Sequence, residues 1–148
     1  MKKFVSAFAR IVLLDAGLLV AAIDGGDRHH GWAKRVLPKL SGRFVTCEAV
    51  LAETLHLLGN SPAGIDALQA LVQRMEIVPA FGAGTGAIFA RLKSFAPNMD
   101  LADACLVVLA GLNSNSLVVT TDTRDFSIYR VPFFSPEGLF ADYAAGIP

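Results

Sequence analysis

Residues 100–122, DLADACLVVLAGLNSNSLVVTTD, decide how this chain folds. The first half is apolar on almost every side and opens with an aspartate suited to capping, so it reads as a buried helix from Asp100 to Leu112. The second half, Leu117 to Thr120, is a short unbroken apolar run bounded by polar residues, the mark of a strand covered on both faces. A helix feeding a buried strand belongs to an α/β architecture with a parallel sheet. Two acids then fall at one end of the unit. Asp122 follows the strand, and Asp103 sits in the first turn of the helix before it, on the side of the sheet where that strand finishes.

The alternation continues outward in both directions. Arg10 to Leu14 reads as a buried strand and Leu18 to Ile23 as a helix stopped by Asp24-Gly25-Gly26. Asp27 then caps a helix from Arg28 to Leu40. Phe44-Val45-Thr46 is a second strand, followed by a helix from Glu48 to Leu58, and Ser61-Pro62 opens another helix to Met75. Glu76 to Pro79 is a third strand, Gly84 to Phe95 a helix, and Val131 to Phe134 a fifth strand. The expected fold is α/β: a three-layer α/β/α sandwich with a central parallel sheet of about four or five short strands. The 148 residues make one domain, 1–148, with 1–9 as a leader and 135–148 as a C-terminal tail.

Composition narrows the function. Thirteen basic residues balance thirteen acidic ones, so the chain lacks the excess of positive charge that marks a general nucleic-acid binder, and any such contact has to come from a local patch. Arg28, Lys34, Arg91, Lys93 and Arg124 are the candidates for it. A hydrophobic fraction of 53% is more than a small monomeric core requires and points to apolar surface covered by a partner or second subunit. Cys47 and Cys105 lie in apolar context without CxxC spacing, as reduced core thiols do in the cytoplasm. The opening Met1-Lys2-Lys3 resembles a secretory start, but Arg10 and Asp15 cut the adjoining apolar stretch into runs too short for a signal core, and no run reaches membrane-spanning length.

Four acids stand out against this apolar background: Asp15 after Ile11-Val12-Leu13-Leu14, Glu53 within Val50-Leu51-Ala52-Glu53-Thr54-Leu55, Asp103, and Asp122. A partly buried carboxylate costs several kcal/mol unless a cation or hydrogen bonds compensate it. Each acid has an ordinary structural use: Asp15 as a helix cap, Asp122 in a turn, Asp103 on a helix dipole, Glu53 as a solvated glutamate. Together, and placed at strand ends and on the apolar faces of helices, they imply one divalent cation site. Oxygen donors suit magnesium or manganese, the ions that stabilise charge on a phosphodiester and activate water at neutral pH.

The segments Leu13-Leu14-Asp15-Ala16-Gly17-Leu18-Leu19-Val20-Ala21, Asp27-Arg28-His29-His30, Ala52-Glu53, Asp100-Leu101-Ala102-Asp103-Ala104 and Thr120-Thr121-Asp122-Thr123-Arg124-Asp125-Phe126 resemble the PIN-domain nucleases, specifically the VapC-like toxin ribonucleases. The likeness runs from Ile11 to Phe134 with all four acids in order. It implies a PIN-like fold and a metal-dependent endoribonuclease that hydrolyses RNA. It implies Mg2+ or Mn2+ on Asp15, Asp103 and Asp122, with Glu53 holding a second ion or its water, and Thr120 orienting a carboxylate. It also implies a cognate antitoxin, while the high apolar fraction points to a homodimer, and the interrupted signal-like start and the reduced cysteines to a cytoplasmic location. Asp125 is the fallback for Asp122, and its ordinary use, in a turn before Phe126, is the preferred one. Ala16 departs from the pattern, since many relatives carry Ser or Thr after the first Asp.

Three other signals compete. Gly82-Ala83-Gly84-Thr85-Gly86-Ala87 matches the glycine pattern of a dinucleotide-binding oxidoreductase, with Asp103 at the ribose-binding offset. Glu53-Thr54-Leu55-His56 is half of a di-iron pair, and one half does not make a site. A non-catalytic interaction module would use the acids to hold a basic peptide.

Overall fold

The structure is a computed structural model that describes residues 10–141. The leader expected at 1–9 and residues 142–148 of the expected tail lie outside the described residues. The chain begins with β1 (Ile11–Leu14), α1 (Ala16–Ile23), α2 (His30–Val36), β2 (Arg43–Cys47), α3 (Glu48–Leu57) and α4 (Pro62–Val72). It continues through β3 (Glu76–Val78), α5 (Ala80–Ser94), α6 (Leu101–Gly111), β4 (Ser116–Val119), α7 (Thr123–Tyr129), β5 (Phe133–Ser135) and β6 (Gly138–Phe140).

These strands form a single sheet in the order β3-β2-β1-β4-β5-β6, parallel throughout except for the β5–β6 pair. The central strands are apolar at successive positions because helices cover both faces: Val12, Leu13 and Leu14 of β1 and Leu117, Val118 and Val119 of β4 are all buried. The chain runs from β1 outward to β2 and β3, then returns past β1 to β4. Right-handed crossovers therefore place α1 to α4 on one face and α5 to α7 on the other. The strand order reverses at β1, so the carboxyl ends of β1 and β4 flank the point where open α/β sheets receive ligands. In register, Leu14 lies beside Val119, which sets Asp15 beside Thr120.

Several local expectations change. Asp27 does not cap α2. Its Oδ1 accepts the His29 amide at 2.8 Å in a turn, and α2 begins at His30 without a side-chain cap. The helix expected to reach Leu40 stops at Val36 and tightens into a 3-10 turn over Leu37–Lys39, because Pro38 lacks the N–H that an α-helix needs there. The helix expected from Gly84 begins at Ala80 and kinks at Gly84. The glycine pattern thus lies inside a helix rather than in a phosphate-cradling turn, and Asp103 lies on a helix rather than at a strand end, which removes the oxidoreductase reading. The sheet gains a sixth, antiparallel strand from the segment expected to be tail: Phe133 pairs with Phe140 and Ser135 with Gly138. Phe133 and Phe140 stack at 4.7 Å across that pair, a contact that a one-residue shift of register would break. No described helix is long and apolar enough to cross a membrane.

Gly42 precedes β2 with φ 134, and a Cβ there would collide with the Arg10 carbonyl oxygen. That carbonyl accepts the Arg43 amide at 2.7 Å. Only glycine lets the two backbones approach this closely at that dihedral.

Candidate functional site

Asp15 leaves β1 with an extended backbone and serves as the N-cap of α1. Its two oxygens have different partners: Oδ1 accepts the Ala16 amide at 2.8 Å, and Oδ2 accepts the Thr120 hydroxyl at 2.6 Å. The same hydroxyl accepts the Asp122 amide at 2.9 Å, so one buried threonine ties the residues after β1 and β4 together. Asp122 caps α7 through Oδ1, which accepts the Asp125 amide at 2.9 Å. Asp103 is buried in the first turn of α6. Its amide donates to Asp100 Oδ1 at 2.8 Å, and its Oδ2 accepts the Tyr129 hydroxyl at 2.7 Å. Glu53 is half-buried on α3.

These side chains meet in one cleft of about 220 Å³. All four expected acids, Asp15, Glu53, Asp103 and Asp122, line it, together with Asp100 and Asp125. Ala16, Gly17, Leu57, Asn98 and Thr121 complete the wall, and among the described residues no lysine or arginine joins them. Asp15 and Asp122 each cap a helix and still line the cleft. Gly17 admits the close approach of α1 to the turn after β4, where a Cβ would collide with Thr121 Oγ1.

The electrostatics follow from this crowding. Burial raises Asp15 to about 6, with the charges of Asp100 and Asp122 adding to the rise and the Thr120 and Ala16 bonds opposing it. Burial, the charges of Asp100 and Asp15, and a hydrogen bond shared with Asp100 push Glu53 up to about 7. Asp103 rises from 3.8 to about 8, chiefly through burial and then through the charge of Asp15, while the Tyr129 hydroxyl pulls the other way. Burial and the neighbouring Asp122 also raise Asp125. Carboxylates in this state bind positive charge, either as protons or as a cation that takes their place.

The donor set fits a hard dication. It is made of carboxylate oxygens without histidine or thiolate, unlike the nitrogen and sulfur sets of zinc. Among the described residues no group of three or more His, Cys, Asp or Glu side chains is drawn together closely enough to hold a metal ion among them. Magnesium does not require such a group, because it keeps several waters and takes one or two carboxylates at a time.

A larger cavity of about 380 Å³ lies elsewhere, between α3, α6 and the start of α5. Its wall is largely apolar and includes the buried thiols of Cys47 and Cys105, and Glu48 is the one acid among its described residues. Convergent acids rather than volume single out the smaller cleft. The histidines stay out of it. His30 Nδ1 lies 2.7 Å from the Ala21 carbonyl, His29 pairs with Arg28, and His56 is exposed on α3.

Sequence reasoning missed two participants. Asp100 reads as a helix cap alone, although its spacing of three from Asp103 places both on one face, a signal that was available. Tyr129 left no local signal, because its partner Asp103 is 26 residues away in sequence.

The family model of the PIN domain matches residues 12–133. Among solved structures, the chain is similar to the VapC20 toxin of Mycobacterium tuberculosis, described as cleaving the sarcin–ricin loop, with 23% identity and a TM-score of 0.64 over 79% of this chain and 93% of that one. It is also similar to a toxin–antitoxin complex from Klebsiella pneumoniae, with 19% identity and a TM-score of 0.60 over 78% and 90% of the two chains. A third is VapBC2 of Rickettsia felis bound to a DNA fragment from its promoter, with 19% identity and a TM-score of 0.58 over 82% and 93%. No curated protein sequence matches the chain. The matched span holds the whole acid cleft, and the chain belongs to the PIN domain family.

Proposed function

We propose that this chain is a metal-dependent endoribonuclease that hydrolyses RNA phosphodiester bonds and acts as the toxin of a toxin–antitoxin pair. The convergence of Asp15, Glu53, Asp103 and Asp122 at the switch point of the sheet carries the proposal. The toxin assignment draws support from the similar VapC20 protein and from the toxin–antitoxin complexes of the same fold.

Asp15, Asp103 and Asp122 are the residues that would hold magnesium or manganese, with Glu53 serving a second ion or the attacking water. A divalent ion held there supplies charge stabilisation at the scissile phosphate and acidifies water. The chain's own residues do the rest. Thr120 and the Ala16 amide hold the Asp15 carboxylate from behind, so its orientation is set before substrate arrives. Glu53, whose proton affinity is raised by burial and by the neighbouring carboxylates of the metal-free cleft, is the candidate general base. Arg124 lies in the first turn of α7 beside Asp125 and is the basic candidate best placed to meet RNA at the cleft.

Exposed large side chains such as Leu57, Phe81, Phe89 and Leu101 support coverage of apolar surface by a second copy or by an antitoxin. Leu57 also lines the acid cleft, so a partner seated here would reach its edge.

Expression in a bacterial host tests the toxin assignment. The chain alone is expected to arrest growth within a few generations, and co-expression of the small protein encoded beside it is expected to restore growth through a complex that survives purification. Unimpaired growth with soluble, RNA-cleaving protein would turn the reading to RNA processing without toxicity.

A further inference from the structure

Tyr129 closes α7 and is almost wholly buried, with its hydroxyl directed at Asp103 Oδ2. Two edge contacts fix its ring, with Phe95 at 5.3 Å and with Phe126 at 5.2 Å. Phe126 in turn packs on Phe133, and Phe133 stacks on Phe140 of the last strand. A run of aromatic rings thus ties the outer edge of the sheet to one carboxylate of the cleft. Phenylalanine would fill the same space as Tyr129. A buried hydroxyl costs free energy unless it is bonded, and the bond it makes is to Asp103.

The geometry points to Tyr129 as a positioning residue that fixes which oxygen of Asp103 is offered to a divalent cation. The hydroxyl occupies Oδ2, and the backbone of Asp103 is pinned through its amide to Asp100. The carboxylate therefore cannot rotate freely about its terminal torsion, and Oδ1 is left as the oxygen for the ion. Asp15 is held differently, with the Thr120 hydroxyl on Oδ2 and the Ala16 amide on Oδ1. This inference rests on the proposed metal-dependent reading of the cleft and adds to it a residue that acts only through Asp103.

The test is manganese titration of the full chain, by calorimetry and by the manganese dependence of RNA cleavage, in wild type, Tyr129→Phe and Ser127→Ala. Ser127 lies on the same helix, and its hydroxyl bonds the Thr123 carbonyl rather than a carboxylate. Tyr129→Phe is expected to melt within a few degrees of wild type and to bind manganese about 10- to 100-fold more weakly. Its half-saturating manganese concentration should rise in step, with cleavage largely recovered at saturation. Ser127→Ala should match wild type in both. Equal manganese affinity in Tyr129→Phe and wild type would overturn the inference and leave the metal-dependent reading standing. So would a cleavage loss that manganese does not recover. A wild type that binds no manganese would overturn both.

Discussion

Asp15→Asn, Asp103→Asn and Asp122→Asn are each expected to reduce RNA cleavage by more than about 100-fold while leaving the fold intact. Substitutions one shell outside a metal already cost about 10- to 100-fold, and a ligand should exceed that. Asparagine keeps the shape of the side chain and much of its hydrogen bonding but removes the charge that a hard cation requires. The three need not be equal in stability. Asp15 and Asp122 also cap helices, and an asparagine oxygen can still accept the Ala16 or Asp125 amide. Glu53→Gln should be severe with some residual activity. Thr120→Val should fall between, at about 10- to 100-fold, because it removes the support of Asp15 rather than the ligand itself. End-mapped cleavage of a defined RNA, with circular dichroism of each variant, checks the series. Full activity in Asp15→Asn would remove the cleft from the chemistry.

The second large effect lies in stability and reverses sign with metal. In chelator and above about pH 8, where Asp103 is ionised, Asp103→Asn is expected to melt above wild type, because it removes a buried charge from a cleft crowded with like charges. A structural acid would behave in the opposite way. The pH dependence shares this origin. Asp15, Glu53 and Asp103 have folded values raised to about 6, 7 and 8, so over the window from about pH 4 to pH 8 the native state retains protons that the unfolded chain has released. Metal-free stability is therefore highest at the acidic end of that window and falls as pH rises through it. A cation that binds only the folded state adds about 2.7 kcal/mol at a hundredfold excess over its dissociation constant, or roughly 5–10 °C of melting temperature at this size. Manganese should thus raise wild-type melting and flatten its pH dependence, and Asp103→Asn should lose most of that gain. Lower melting of Asp103→Asn in chelator above about pH 8, with a wild type indifferent to manganese, would mark these acids as structural.

Much of the fold was legible in the sequence because strong patterns carried it. The apolar runs Ile11 to Leu14 and Leu117 to Val119 have no stable place outside a doubly covered parallel sheet, and their positions put Asp15 and Asp122 at one end of it. Ser61-Pro62 and Asp100 capped their helices as their chemistry predicts. What was lost depended on competition or on distance. Pro38 overrode the apolar spacing that favoured a longer second helix. Asp27 bonded the amide two residues on instead of capping, a choice between two local bonds that composition does not decide. Gly138 to Phe140 carry little strand signal, and their pairing is driven by the stacking of Phe140 on Phe133. At the site, the four acids were readable because each interrupts an apolar pattern. Asp100 was hidden by its second role as a cap, and Tyr129 by a contact that only the tertiary fold creates.

Whether the acid cleft is a divalent cation site that cleaves RNA is tested most directly on one preparation of wild-type protein, carried through manganese binding and RNA cleavage together, with an excess of chelator added and then titrated out. Saturable manganese binding, cleavage that vanishes in chelator and returns with the same midpoint as binding, and loss of both in Asp103→Asn are the predicted results. Undiminished cleavage in excess chelator, or cleavage and manganese binding that survive unchanged in Asp103→Asn, would contradict it.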